Sequence, residues 1–360
     1  MLTTPYFTIP DTLRNWPWKR VLNPHQKVCE EEAADWMRSC GAFTPKSQNA
    51  FDRCSFGLLG SLAYPRLGRD GLRIACDLMN MFFVIDEYSD VASGREARLQ
   101  ADIVMDALYN PLVPRPVGEW IGGEVTRQFW ANAIKTATPS SQRRFVRNFQ
   151  RYVDAVVQQA QDREAHCIRD VKSYFILRRQ TIGAIPSLDL LTLEMDLEDE
   201  VLDHPIIAKL LELCVDMILI GNDLYSYNVE QARGDDTHNF VRIVKDERKC
   251  NLNDALRWIS DYHDRLADEF LNLMHNLPSF GSKLIDEQVK TYVDGLGNWV
   301  RANECWSFES ERYFGKKGKL YQKSRRVRLL PSSIALQGQN IDPQAAVEIS
   351  DLPAAAGIIV

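Results

Sequence analysis

Two segments of this 360-residue chain carry closely spaced oxygen-bearing side chains. The first, residues 76–90, reads CDLMNMFFVIDEYSD and ends with Asp86 and Asp90. On a helix, this four-residue spacing places both carboxylates on one face, with Glu87 beside them. Their mutual repulsion would be relieved by Mg²⁺, which prefers carboxylate oxygens together with water and phosphate oxygens. The spacing therefore suggests a metal site, and a solvated helix end is the alternative.

The second segment, residues 213–236, reads LCVDMILIGNDLYSYNVEQARGDD. Asn222, Ser226 and Glu230 follow one another at four-residue steps, and each step turns only about 40° around a helix axis. An amide oxygen, a hydroxyl and a carboxylate thus form one ridge of hard-cation ligands. Asp223 lies off this ridge, where it would support the site rather than bind the metal.

Large apolar side chains lead into the first acidic cluster. Met79, Phe82 and Phe83 fall one and two turns before Asp86, on roughly the same helical face. Ordinary core packing accounts for such a stripe in an isolated helix. Leading into paired acids, it also fits an apolar pocket with a polar mouth, where aromatic faces can stabilise a carbocation.

The elements that must position these residues are helices. Apolar residues recur at three- and four-residue spacing, Pro and Gly are sparse within these stretches, and no sustained alternation predicts a sheet. The pattern predicts an all-α fold of around a dozen helices in one bundle around a central apolar pocket. The predicted helices are one that ends near residue 41 and others at 46–59, 72–88, 95–108, 117–136, 140–162, 170–182, 206–233, 237–245, 252–275 and 282–303.

Composition excludes several classes of protein. Hydrophobic residues make up 45% of the chain and charged residues 26%, which is typical of a globular protein. The net charge of −6 disfavours nucleic acid as a partner. The eight scattered cysteines form no CxxC pair and predict reduced thiols. We find no signal peptide, and no apolar run approaches the roughly 18 residues of a membrane span, so we expect a cytoplasmic protein without stable membrane insertion.

Both ends of the chain differ in amino-acid composition from the middle. Residues 1–20 contain three prolines and are predicted as an N-terminal segment. After residue 315, a basic run (Lys316, Lys317, Lys319, Lys323, Arg325, Arg326 and Arg328) leads into a Pro-, Ser-, Gln- and Ala-rich end. The prediction is one domain over residues 21–325 and a mobile tail over 326–360. The basic run is interpreted as a solvated tail, or alternatively as a segment that orders over a bound anion.

In these motifs the chain resembles the class I terpene cyclases, which pair a D(D/E)xxD cluster with an NDxxSxxxE triad on facing helices. The resemblance covers roughly residues 20–325, with both motifs in the family's order. It implies a diphosphate-sensing role for Arg179, with Ile182-Gly183 at the linker and effector positions of a broken helix. It further implies diphosphate contacts from Arg233 and from the late pair Arg312-Tyr313. Val229 departs from the family, because many members carry a phosphate-binding lysine immediately before the triad glutamate. Arg233, Arg178 and the basic tail are the candidates to compensate for it.

The resemblance implies the class I terpenoid synthase fold and three Mg²⁺ ions, bound by Asp86, Asp90, Asn222, Ser226 and Glu230. The resemblance also implies that the bound metal ions promote ionisation of an allylic diphosphate, inside a pocket closed against water. Phe82, Phe83 and Trp306 are candidate walls of that pocket, and Tyr64 is a further candidate.

Single-domain size without a DxDD motif favours a sesquiterpene cyclase that acts on farnesyl diphosphate as a monomer or homodimer. Segments such as FFVIDEYSDVASG and NDLYSYNVEQARGDDTHN resemble basidiomycete enzymes of the protoilludene synthase group. That likeness implies a humulyl-type ring closure followed by cyclobutane formation. The alternatives are a cyclase with another product, a chain-elongating prenyl diphosphate synthase, which should carry a second DDxxD, and a non-catalytic helical binding protein.

Overall fold

A computed structural model describes residues 6–195 and 197–331 of the chain. Almost all regular structure in these ranges is helical, as the sequence predicts. The fifteen α-helices are α1 (Gln26–Cys40), α2 (Pro45–Arg53), α3 (Phe56–Ala63), α4 (Arg69–Ser89), α5 (Gly94–Tyr109), α6 (Ile121–Ala133), α7 (Pro139–Glu164), α8 (Val171–Thr181), α9 (Ala184–Asp189), α10 (Asp199–Leu202), α11 (Pro205–Arg233), α12 (Phe240–Arg248), α13 (Leu252–Met274), α14 (Lys283–Glu309) and α15 (Gly318–Ser324).

Most predicted helices are confirmed, and local signals account for several of their ends. Ser93 caps α5 in a capping box, in which its hydroxyl accepts from the Glu96 amide while the Glu96 carboxylate accepts from the Ser93 amide. Two predicted starts are too early. The helix predicted from residue 117 begins at Ile121, and the helix predicted from residue 237 begins at Phe240, after a short 3₁₀ turn over Asp236–His238.

The helices that carry the candidate residues pack side by side around the interior. α4 carries the first acidic cluster, α11 the second, and α14 contacts both α3 and α11. α7 packs against α8 and α9 on the opposite side. Most buried apolar side chains form one large core, which includes Phe129, Phe145 and Phe149, and a small second cluster lies between α1 and α4.

A break separates α8 from α9 at Gly183. This glycine adopts φ = +70°, in the left-handed region that side chains other than glycine rarely occupy. Its carbonyl oxygen accepts hydrogen bonds from the Ser187 hydroxyl at 2.8 Å and the Ser187 amide at 3.3 Å, which starts α9 in a new direction. The helix interruption implied by the resemblance is therefore present.

Two short strands join the chain ends. β1 (Tyr6–Thr8) pairs antiparallel with β2 (Arg326–Arg328), with Phe7 opposite Val327. Beyond β2, the Leu330 amide donates to the side chain of Asn228, and the Leu330 carbonyl accepts from Gln231, both on α11.

Both chain ends therefore contact the helical domain. Residues 326–331 belong to the packed domain rather than to the predicted tail, and residues 332–360 lie outside the described residues. Within the segment predicted at 1–20, residues 6–20 pack on the domain, since Ile9, Leu13 and Trp16 are buried in the core.

Two compositional predictions can be compared with the structure. All eight cysteines are free thiols. Among the helices of residues 6–195 and 197–331, none combines the length and the apolar character that crossing a membrane requires.

Candidate active site

A cavity of about 670 Å³ opens between α4, α7, α8, α11 and α14. Its volume lies within the ~300–1,000 Å³ typical of small-molecule sites. One part is walled by apolar side chains and the other by acids, arginines and amides. The lining includes Leu59, Met79, Phe82, Phe83, Asp86, Asp90, Tyr152, Arg163, Arg178, Thr181, Ile182, Gly183, Ile218, Asn222, Ser226, Val229, Glu230, His238, Trp299, Asn303, Trp306, Arg312 and Tyr313.

Aromatic rings form the apolar wall, and tight packing holds them in place. Phe82 stacks on Phe149 with ring centroids 5.4 Å apart and meets Tyr152 edge to face at 5.1 Å. Trp306 is 1% exposed, and its indole nitrogen donates to the backbone of Cys54 and Ser55. The structure thus places Phe82 and Trp306 on the cavity wall.

Phe83 lines the same wall, where it stacks on Phe56 at 3.7 Å. The further wall candidate Tyr64 lies elsewhere. Its phenol is fully buried and donates to the carbonyl of Ser187, so this ring packs behind the cavity.

The first acidic cluster stands at the mouth of the cavity. Asp86 and Asp90 both line it, and Arg312 donates to Asp86 at 3.3 Å. Burial raises the pKa of Asp90 well above its usual range, and the neighbouring charges of Asp86 and Glu87 raise it further. Burial also raises the pKa of Asp86, against the opposing effect of Arg312. The pair is therefore short of compensating positive charge.

The triad lies on α11 across the cavity. Ser226 and Glu230 face the lining, and the side-chain amide of Asn239 holds both, donating to Glu230 at 2.9 Å and to the Ser226 hydroxyl at 3.3 Å. Burial raises the pKa of Glu230 to about 7, and the charge of Asp223 contributes. Like Asp90, Glu230 is a partly buried carboxylate that a nearby cation would stabilise.

Asn222, the first member of the triad, connects three candidate residues through its amide. Its nitrogen donates to the Tyr313 hydroxyl at 3.0 Å, and its oxygen accepts from Arg178 at 2.8 Å. Arg178 also donates to Asp223 at 3.1 Å. The late pair, the triad and α8 therefore meet at one point of the cavity.

Arg179, the residue predicted to sense the diphosphate, does not line the cavity. Its guanidinium forms a two-point ion pair with Asp216, with both distances 2.7 Å, and reaches Glu212 at 3.1 Å. Successive residues of a helix point about 100° apart, so only one of the two adjacent arginines can face inward. The structure brings Arg178 to the cavity in place of Arg179.

Arg233 and Val229, the two other positions singled out in the sequence, lie in different places relative to the cavity. Arg233 ends α11 and is not among the residues that line the cavity; burial lowers its pKa, although the charge of Asp235 opposes this. Val229 does line the cavity, at the position where the resemblance leads one to expect a lysine. None of the basic residues of the run from Lys316 to Arg328 is among the residues that line it.

Asn239 and His238 are among the residues of the site that sequence reasoning missed. The sequence pattern puts Asn239 inside a predicted helix, whereas it caps α12 through its side-chain oxygen and supports the triad through its nitrogen. Its position before a hydrophobic run was a usable cap signal. His238, beside it, lines the cavity, and burial lowers its pKa to about 3, so the imidazole is neutral. Its Nε2 has no hydrogen-bond partner within the described residues.

The donor set suits a hard divalent cation. Carboxylate, amide and hydroxyl oxygens face each other across the cavity, and two of the carboxylates are partly buried without full charge compensation. Within residues 6–195 and 197–331, no three acidic, histidine or cysteine side chains already form a closed metal cage. The arrangement fits ions that bind from two sides together with an anionic ligand that supplies further oxygens.

Comparison with known proteins decides the family. The family model described as terpene synthase family 2, C-terminal metal binding, matches residues 77–269, a span that contains both motifs. A Δ6-protoilludene synthase of Stereum hirsutum is 54% identical over 323 residues, which is 90% of this chain and 88% of that protein. A Δ6-protoilludene synthase of Armillaria gallica is 52% identical over 336 residues, covering 93% and 96%.

The chain belongs to the terpene synthase family. The predicted resemblance is thereby confirmed, and the metal-binding character of the matched domain agrees with the two motifs.

Solved structures confirm the predicted fold of this terpene synthase. The germacradien-4-ol synthase of Streptomyces citricolor aligns with a TM-score of 0.71 at 22% identity, over 84% of this chain and 98% of that one. The T181N variant of cucumene synthase aligns with a TM-score of 0.73 at 21% identity, over 82% and 100%. The helical architecture is therefore shared although most of the sequence differs.

Proposed function

We propose that this terpene synthase ionises farnesyl diphosphate and cyclises the resulting cation to a sesquiterpene, with release of diphosphate. The observation that carries the proposal is the convergence of both acidic motifs, Arg178, Arg312 and Tyr313 on one cavity whose remaining walls are aromatic and aliphatic. A hydrocarbon chain with a diphosphate at one end has this same division of chemistry.

The polar mouth supplies the groups that a leaving diphosphate requires. Arg178 and Arg312 are buried guanidinium groups, and Tyr313 adds a phenol beside them. In a site closed to water, such preorganised donors stabilise the negative charge that develops as the allylic C–O bond breaks. Asp86, Asp90, Asn222, Ser226 and Glu230 would hold magnesium, three ions being expected from the family resemblance. Magnesium, when bound, acts as a Lewis acid toward the diphosphate oxygens.

The apolar wall determines what happens after ionisation. Phe82, Phe83 and Trp306 present aromatic faces to the cavity, and such faces attract a cation through their quadrupole. Because their rings are held by stacking, the cavity keeps one shape while the isoprenoid chain of the substrate folds on itself. Exclusion of water keeps the cation from being captured as an alcohol.

We further propose Δ6-protoilludene as the product. The support is the identity of about half of all residues to several enzymes of that name, aligned over nine-tenths of this chain. This likeness extends through α4, α8, α11 and α14, the helices that shape the cavity.

One incubation series separates the proposal from its rivals. Purified protein receives farnesyl diphosphate and Mg²⁺, with and without isopentenyl diphosphate, and both headspace volatiles and diphosphate products are analysed. A cyclase yields a volatile hydrocarbon in both cases, and we expect Δ6-protoilludene. A chain-elongating enzyme would instead yield a longer diphosphate only when isopentenyl diphosphate is present, and a binding protein would yield neither.

A further inference from the structure

Two arginines of the cavity already bind side chains that are proposed as metal ligands. Arg178 donates to the Asn222 oxygen at 2.8 Å, and Arg312 donates to an Asp86 oxygen at 3.3 Å. Both arginines are also proposed to bind the diphosphate. Each therefore occupies an oxygen that the proposed metal site requires.

The contact at Asn222 is the more restrictive of the two. The Asn222 side chain has one oxygen, and a guanidinium nitrogen 2.8 Å away brings a full positive charge to it. A divalent cation on that oxygen would meet this charge within a buried site, where screening by water is weak. Asp86 has a second carboxylate oxygen to offer, whereas Asn222 has none.

Each of the two arginines also has an unused hydrogen-bond donor that could bind an anion. The Nε atoms of Arg178 and Arg312 are buried and have no hydrogen-bond partner in the described part of the chain. Because a buried donor without a partner is unfavourable, an anion that accepts a hydrogen bond from it binds more tightly. Arg178 also keeps an anchor, because Asp223 accepts from it while being fixed by the Tyr174 hydroxyl and the Phe240 amide.

We infer that Arg178 is a positioning residue that holds the Asn222 oxygen away from the metal until a diphosphate draws the guanidinium to itself. The inference rests on the proposed function, which makes Asn222 a metal ligand and Arg178 a diphosphate contact. Coupling between two ligands is reciprocal, so a cation at the triad would equally strengthen binding of the diphosphate. The enzyme would thus assemble the triad's metal site only when a substrate is present.

The test measures Mn²⁺ binding to the protein without diphosphate, by the electron paramagnetic resonance signal of free Mn²⁺. One guanidinium nitrogen of Arg178 donates to both Asn222 and Asp223, and Arg178→Lys keeps a positive charge near Asp223 while its side chain is one bond too short to keep that nitrogen on the Asn222 oxygen. Arg179→Lys is the matched control, because it makes the same change one residue away on a side chain that pairs with Asp216 outside the cavity. Thermal unfolding monitored by circular dichroism verifies that each variant is folded.

We expect Arg178→Lys to bind Mn²⁺ about tenfold more tightly than the wild type, the factor expected when one charge-assisted hydrogen bond no longer competes for the oxygen. Arg179→Lys should leave the affinity unchanged. In an Asn222→Ala background, Arg178→Lys should have no effect, since the contested oxygen is gone. An equal affinity in wild type and Arg178→Lys, or the same gain in the Asn222→Ala background, would overturn the inference.

A measurement on the wild type does not depend on any variant. Crystals soaked in Mn²⁺ alone should show no anomalous peak at the triad, whereas Mn²⁺ with inorganic pyrophosphate should show one, with Arg178 moved off Asn222. An anomalous peak at the triad with the hydrogen bond from Arg178 to Asn222 intact would refute the inference. Hydrocarbon formation by the same preparation shows separately whether the proposed function holds, so failure of one is distinguishable from failure of the other.

Discussion

Replacing Gly183 by alanine should destabilise the protein and alter its products. Two separate effects contribute, which are backbone strain and a close contact with the Phe82 ring. Gly183 has φ = +70°, a conformation that costs an ordinary residue roughly 1–2 kcal/mol. A Cβ atom here would also lie 3.2 Å from the Phe82 ring, which is confined by Phe149 and Tyr152. Overpacking of this kind adds about 1 kcal/mol or more. The expected total is roughly 2–3 kcal/mol, or about 4–6 °C in Tm at about 2 °C per kcal/mol.

The chain offers a matched control at Gly281, which has φ = +75° and no atom within 4 Å of the position that a Cβ atom would take. Gly281→Ala therefore reports the backbone strain alone, about 1–2 kcal/mol. Thermal unfolding of both variants gives the contribution of the Phe82 contact by difference. Product analysis should show a changed hydrocarbon mixture for Gly183→Ala and an unchanged one for Gly281→Ala. Equal Tm losses with unchanged products in both would refute the reasoning.

Three further predictions concern the support of the site and the chain ends. Asn239→Asp keeps the cap of α12 but places a carboxylate, in place of the amide donor, beside Glu230. Steady-state kinetics should therefore show that kcat falls about tenfold or more, because the two like charges repel. Tm should fall by only a few degrees. Burial raises the pKa of Asp189 to about 7, above its value in the unfolded chain, so the stability contributed by its protonated form is lost as the pH rises through 7. Asp189→Asn should therefore raise Tm more at pH 8 than at pH 5, and the opposite order would contradict this assignment. Ending the chain after Arg325 keeps α15 but removes β2, and it should lower Tm by several degrees relative to a chain that ends after Pro331 and keeps the β1–β2 pair; equal Tm values would show that residues 326–331 contribute nothing.

The all-α fold and the two acidic motifs could be predicted because they are local patterns. Four-residue spacing places Asp86 and Asp90 on one helical face, and the same spacing aligns Asn222, Ser226 and Glu230, whatever the helices pack against. The structure then supplies what spacing cannot, which is that the two faces meet at one cavity.

The predictions that failed depend on contacts between distant parts of the chain. Arg178 and Arg179 are adjacent and chemically identical, and only the packing of α8 against α11 decides which of them faces the cavity. Asn239 reaches Glu230 because the chain turns back after α11. β2 was hidden within a basic run, because its partner β1 lies more than 300 residues earlier in the sequence.

The two motifs are proposed to act as one site that ionises an allylic diphosphate. The most direct measurement is the rate of diphosphate release from farnesyl diphosphate in the presence of Mg²⁺, for wild type, Glu230→Gln and Glu212→Gln. The control changes the same residue type on the same helix, at a side chain that pairs with Arg179 and Lys209 outside the cavity. We expect a loss of about 10²–10³-fold for Glu230→Gln and a rate close to wild type for Glu212→Gln, with helical circular dichroism unchanged in both. Wild-type release by folded Glu230→Gln would contradict the proposal.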